Sequence, residues 1–140
     1  MLSIPFVELT HLEVKGITSP DSNSRLIAID PRQSFCLCAP AGSGKTEILI
    51  QRYLSLLGTT KNPKSVLAIT FTRKAAAEMK DRVLTALSTA EELATSENSH
   101  KTRELARKAL IKTEEMGLNI LKDDSLLNIK TIDSFCNELV

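Results

Sequence analysis

The sequence has no tryptophan, one tyrosine and four phenylalanines in 140 residues. That is too little aromatic surface for a long platform on which successive bases stack. Charge of one sign is missing as well: 18 Lys and Arg stand against 17 Asp and Glu. The broad positive field of a polybasic nucleic-acid binder is therefore excluded, although a local basic patch is not. No apolar run approaches the roughly 18 residues needed to span a bilayer. Residues 1–16 carry neither a basic leader nor a sustained apolar core, which speaks against a secretory signal, and a cytoplasmic location is expected. Histidine occurs only at positions 11 and 100 and cysteine only at 36, 38 and 136, so close spacing yields no four-ligand zinc set. Cys36 and Cys38 are expected as packed core thiols on one side of a strand in a reducing compartment.

What is present suffices for a folded domain, since 42% hydrophobic and 25% charged residues are ordinary globular values. Residues 1–23 show no steady period and read as an N-terminal arm. A short helix is expected around Ser24–Ile29, stopped before Pro31. Phe35–Ala39 is a short apolar run that meets Pro40 and two glycines, as a buried parallel strand feeding a tight loop would. From Gly44, the apolar residues Ile48, Leu49, Tyr53, Leu54, Leu56 and Leu57 recur at helical spacing as far as Gly58. Val66–Thr70 reads as a second strand, and Arg73 to about Ala90 as a helix with Ala76, Met79, Val83, Leu84 and Leu87 on one face. Residues 91–126 carry eight acids and six bases and read as a largely solvated helix near Thr102–Met116. Leu127–Thr131 reads as a third strand, with Asp133 or Ser134 capping a last helix. This order implies an α/β fold, a parallel sheet flanked by helices.

The strongest local signal is Ala39-Pro40-Ala41-Gly42-Ser43-Gly44-Lys45-Thr46, between an apolar strand and a helix. In that setting it is a phosphate loop. Glycines let successive N–H groups converge on phosphate oxygens, and the helix N-terminus adds partial positive charge. Lys45 reaches the β- and γ-phosphates, and Thr46 offers its hydroxyl to Mg²⁺. The bland alternative is a strand-turn-helix corner with a stray lysine. The loop alone fixes a nucleoside triphosphate site and does not choose among kinases, GTPases and helicases.

A second set of residues narrows the choice. Thr70, Phe71 and Thr72 stand where a strand gives way to a helix, at the carboxyl edge where open α/β sheets hold ligands. Phe71 can stack on a base, while the threonine hydroxyls and helix amides can hold a phosphate. Residues 61–82 contain six bases and two acids, a basic cluster that flanks Phe71. The plain alternatives are a core role for Phe71 and a solvated helix face for the bases.

The AxAGSGKT loop, the run Leu67-Ala-Ile-Thr-Phe-Thr-Arg-Lys-Ala-Ala-Ala-Glu-Met79 and the segment Thr131-Ile-Asp-Ser-Phe-Cys136 together resemble superfamily 1 DNA helicases of the UvrD/Rep type, in particular RecB- and AddA-like members. The resemblance runs from Phe35 onward. It implies that residues 24–140 are the N-terminal part of a RecA-like P-loop lobe, ending before the Walker B strand. It further implies ATP and Mg²⁺ as cofactors and 3′-to-5′ helicase or translocase activity in DNA repair. Single-stranded DNA is the implied partner, along Thr70, Phe71, Thr72, Arg73, Thr131 and Asp133. A further implied partner is a nuclease or recombination subunit. For Asp133 a plain helix cap is the alternative.

Two departures from the family pattern stand out. Ser24, within Asn23-Ser24-Arg25, occupies the place where relatives carry an adenine-reading glutamine. Glu47 follows the loop where UvrD-like relatives often have a base. No apolar strand ending in a paired acid follows, so this chain alone is expected to lack hydrolysis. A non-catalytic nucleotide- or DNA-binding module is the alternative, and an unrelated small P-loop kinase a weaker one.

Overall fold

The computed structural model describes residues 6–8, 20–38, 40, 42 and 44–140. Among them the fold is mixed α/β, with two pairs of parallel strands. β1 (Phe6–Glu8) pairs with β2 (Ser34–Cys36) in the register Val7↔Phe35. β3 (Leu67–Thr70) pairs with β4 (Asn128–Thr131) in the register Leu67↔Asn128 to Thr70↔Thr131. The expected parallel pairing is present, and among the described residues each pair is a separate two-stranded ladder. A strand within residues 1–23 was not legible: three residues show no period, and β1 gains its order from β2.

The helices are α1 (Pro20–Ala28), α2 (Lys45–Leu57), α3 (Arg73–Ser88), α4 (Glu97–Glu115) and α5 (Ile132–Leu139). α2 is the hub. Its Leu54 and Leu57 are fully enclosed and join Val83 and Leu87 of α3 with Leu105, Ala106 and Ala109 of α4 in one core. Leu49, expected on the apolar face, is half exposed, and Ile50 and Gln51 point inward in its place.

Two sequence expectations are corrected. The acidic segment is not a solvated helix: α4 packs along α2 and α3 and buries Leu105, Ala106, Ala109 and Thr113. Alanine and threonine make a weakly apolar stripe, which the surrounding charges hide in sequence, yet their small size lets two backbones approach closely. The end of α2 shows this, since a Cβ on Gly58 would lie 3.6 Å from the Ala109 amide nitrogen. α4 also begins five residues earlier than expected. Ser96 accepts from the Ser99 amide while the Ser99 hydroxyl accepts from the Ser96 amide, a reciprocal cap. At its other end Gly117 takes φ +73, and the Leu118 amide donates to Thr113 O. This closure needs a left-handed residue, hence glycine.

The second correction concerns the thiols. Cys36 and Cys38 are exposed rather than core residues: β2 ends at Cys36, and Cys38 lies beyond it. β3 is likewise half open, with Leu67 and Ile69 exposed.

Tyr53 ties α2 to the β3–β4 pair. It is 3% exposed, its hydroxyl donates to Val66 O (3.3 Å) and accepts from the Asn128 amide (3.1 Å). Burial pushes this phenol up to about 12, against the opposing pull of the Asn128 hydrogen bond. The folded chain thus keeps a proton that the unfolded chain loses near pH 10. This contribution is whole below pH 10 and is lost as pH rises toward 12. Denaturant melts at pH 8 and pH 11 are expected to show a larger alkaline loss for the native chain than for Tyr53→Phe. Equal losses would mean that Tyr53 is not held as described.

Candidate phosphate loop and nucleic-acid edge

The loop between β2 and α2 is described at Pro40, Gly42 and Gly44; Ala39, Ala41 and Ser43, also expected to bind phosphate, lie outside the described residues. Gly42 (φ +80) and Gly44 (φ +87) both take the left-handed conformation that side chains resist. Gly44 is the N-cap of α2 and provides no side-chain cap, so the first amides of the helix are not closed off by the cap residue. Lys45 and Thr46 open the helix, and Thr46 is exposed. Helix dipole, left-handed glycines, ammonium and hydroxyl form a donor set that suits a polyphosphate with Mg²⁺. In the same first turn, Glu47 accepts a hydrogen bond from Thr102 Oγ1 at 2.7 Å. It therefore links α2 to α4.

Two arginines not singled out from the sequence hold this region: Arg52 anchors the segment before β2, and Arg25 meets the loop itself. Arg52, one turn beyond Ile48, sends its guanidinium back to the end of α1. It donates to Ala28 O (2.9 Å), Asp30 O (3.0 Å) and Gln33 O (2.7 Å), and it lies 5.3 Å from the centre of the Phe35 ring. Burial pulls its pKa down, partly offset by the Asp30 charge. Asp30 is itself held down to about 2, chiefly by its hydrogen bond from Arg32. The only signal in sequence was a cation on an otherwise apolar helix face. Arg25, in the last turn of α1, lies against the loop: a Cβ on Gly44 would be 3.0 Å from its Nη2 and 3.3 Å from its Nη1.

At the other strand-to-helix junctions, the parallel register sets Thr70 beside Thr131. Thr70 donates its hydroxyl to Thr72 O, and Thr72 caps α3 by accepting from the Ala75 amide at 3.1 Å. Phe71 is 91% exposed, which removes the core alternative. Arg73 is exposed beside it at the start of α3. Of the basic cluster, Lys80 pairs with Asp124 and Arg82 with Glu78; Lys61, Lys64, Arg73 and Lys74 are exposed. The last helix is capped by Thr131, not by Asp133 or Ser134: Thr131 Oγ1 accepts from the Ser134 amide at 3.2 Å. Thr131 is buried, whereas Asp133 is exposed in the first turn of α5. The extended backbone at 131 suits a cap, and the strand ends there.

The family model of the UvrD/REP helicase N-terminal domain matches residues 21–140. The chain is 36% identical over 107 residues to an ATP-dependent helicase/nuclease subunit of Levilactobacillus brevis, covering 76% of this chain and 7% of the relative. It is 33% identical over 123 residues to the like-named protein of Clostridium beijerinckii, covering 85% of this chain and 8% of the relative. Identity to DNA helicase II of Salmonella typhimurium is 43% over 68 residues, 48% of this chain and 9% of the relative. The chain thus matches less than a tenth of the length of these curated relatives. No solved structure matches it.

Proposed function

This chain belongs to the family of the UvrD/REP helicase N-terminal domain, and from that premise we propose that it is the nucleotide-binding, DNA-touching first part of an ATP-driven 3′-to-5′ helicase motor with a RecA-like fold. Residues 39–46 bind ATP, with Lys45 on the outer phosphates and Thr46 as a ligand of Mg²⁺. The ion supplies charge neutralisation at the phosphates when bound. Lys45 and the first amides of α2 would hold the phosphates at the helix N-terminus.

The observation that carries this reading is the pair of left-handed glycines leading into the α2 N-terminus, with Lys45 as its first residue. Thr70, Phe71, Thr72, Arg73 and Asp133 form the strand-contacting edge, and Thr131 shapes it as the cap of α5. The names of the relatives support a nuclease partner for the whole protein. No helix among the described residues is long and apolar enough to cross a membrane, and the proposed place of work is the cytoplasm.

Phe71 gives the sharpest test of the DNA edge. Base stacking on an aromatic ring is worth about 1–3 kcal/mol, so Phe71→Ala is expected to weaken binding of a labelled single-stranded oligonucleotide roughly tenfold. Because Phe71 is exposed, the melting temperature should hardly move. Fluorescence anisotropy decides: unchanged affinity in the variant would remove Phe71 from the DNA contact.

A further inference from the structure

We propose that Arg25 is a second cation of the phosphate site and sets how strongly this chain prefers nucleotides with more than one phosphate. The inference rests on the nucleotide-binding reading above and adds a residue from outside the loop. Its guanidinium lies against Gly44, 3.0 and 3.3 Å from where a Cβ would stand. Gly44 takes a left-handed backbone that side chains resist, and the end of the Arg25 side chain packs against that position. That contact puts a positive charge at the N-cap of α2, next to Lys45.

The placement is built into the fold. Arg52 draws the end of α1 onto α2 through three backbone carbonyls, and Arg25 sits one turn before that anchored end. A guanidinium presents a planar fork of donors and stays charged at any working pH, which suits phosphate oxygens. Lys45 acts as a point charge at the same terminus.

Arg25 also borders a cavity of about 570 Å³ lined by Leu26, Ile29, Gln51, Asn98 and His100 among others. A base seated there is the rival use of this side chain. The two uses separate by which nucleotide feels the loss.

The experiment titrates the native chain, Arg25→Ala and Arg25→Lys with fluorescently labelled ATP, ADP, AMP and GTP in Mg²⁺. Arg25→Ala is expected to weaken ATP and ADP about tenfold, to change AMP less than twofold, and to leave the ATP-to-GTP ratio unaltered. Arg25→Lys should recover part of the loss. A shifted ATP-to-GTP ratio, an equal loss for AMP, or no change would overturn the proposal. Melting without nucleotide checks that the variant folds; if Arg25→Ala does not, Arg25→Gln keeps a polar, shorter side chain without the charge and must show the same pattern. A native chain that binds none of the four nucleotides would instead sink the nucleotide reading itself. That result differs from a native chain that binds while Arg25→Ala binds equally well.

Discussion

Replacing Arg52 with alanine is expected to lower the folding stability of this chain by about 3 kcal/mol. One guanidinium satisfies three carbonyls, at Ala28, Asp30 and Gln33, where α1 ends and the chain turns toward β2. A hydrogen bond from a charged donor contributes about 1.5–3 kcal/mol net. Partial solvent access and water replacing some of these contacts argue for a total well below the sum. The loss should appear as a lower denaturant midpoint, with the slope little changed. Arg52→Lys is expected to recover only part of it, because an ammonium cannot present the planar fork to three acceptors. An unchanged midpoint in Arg52→Ala would show that α1 is held to α2 by other contacts.

That arginine also illustrates what the sequence made legible and what it did not. The candidate phosphate loop and the segments around Phe71 and Thr131 stand out because their residues lie in short, contiguous runs. The helices α2 and α3 were readable because leucine, isoleucine and valine recur at their period. Arg52 was not, since its role depends on carbonyls 19 to 24 residues away, brought close only by the packing of α1. The same holds for Arg25 and Gly44, which belong to different elements. The packing of α4 was misread because alanine carries little hydrophobic signal, and its value lies in being small. The cysteines were misread for the opposite reason: an apolar run suggested burial that a three-residue strand does not provide.

Ala109→Asp turns the misreading of α4 into a measurement. On a solvated helix this exchange is nearly neutral. In the structure Ala109 is fully enclosed between α4 and the end of α2. A carboxylate there has no partner and must be desolvated, at a cost of several kcal/mol. That is comparable to the whole stability of a small domain. The variant is therefore expected to lose cooperative unfolding at ordinary temperature, monitored by circular dichroism. Ile111→Asp, on the exposed face of the same helix, serves as the control and should melt close to the native chain. If both variants melt alike and cooperatively, α4 is not packed on α2.

Residues 39–46 are proposed to hold a nucleoside triphosphate. Equilibrium titration of labelled ATP with Mg²⁺, comparing the native chain with Lys45→Ala, tests it most directly. Lys45 is the first residue of α2 and lies outside the hydrophobic core, so the variant should still fold, which a thermal melt checks. Saturable binding by the native chain and a loss of at least tenfold in Lys45→Ala are expected. Equal affinities for the two proteins, or no binding by a native chain shown to be folded, would contradict this proposal.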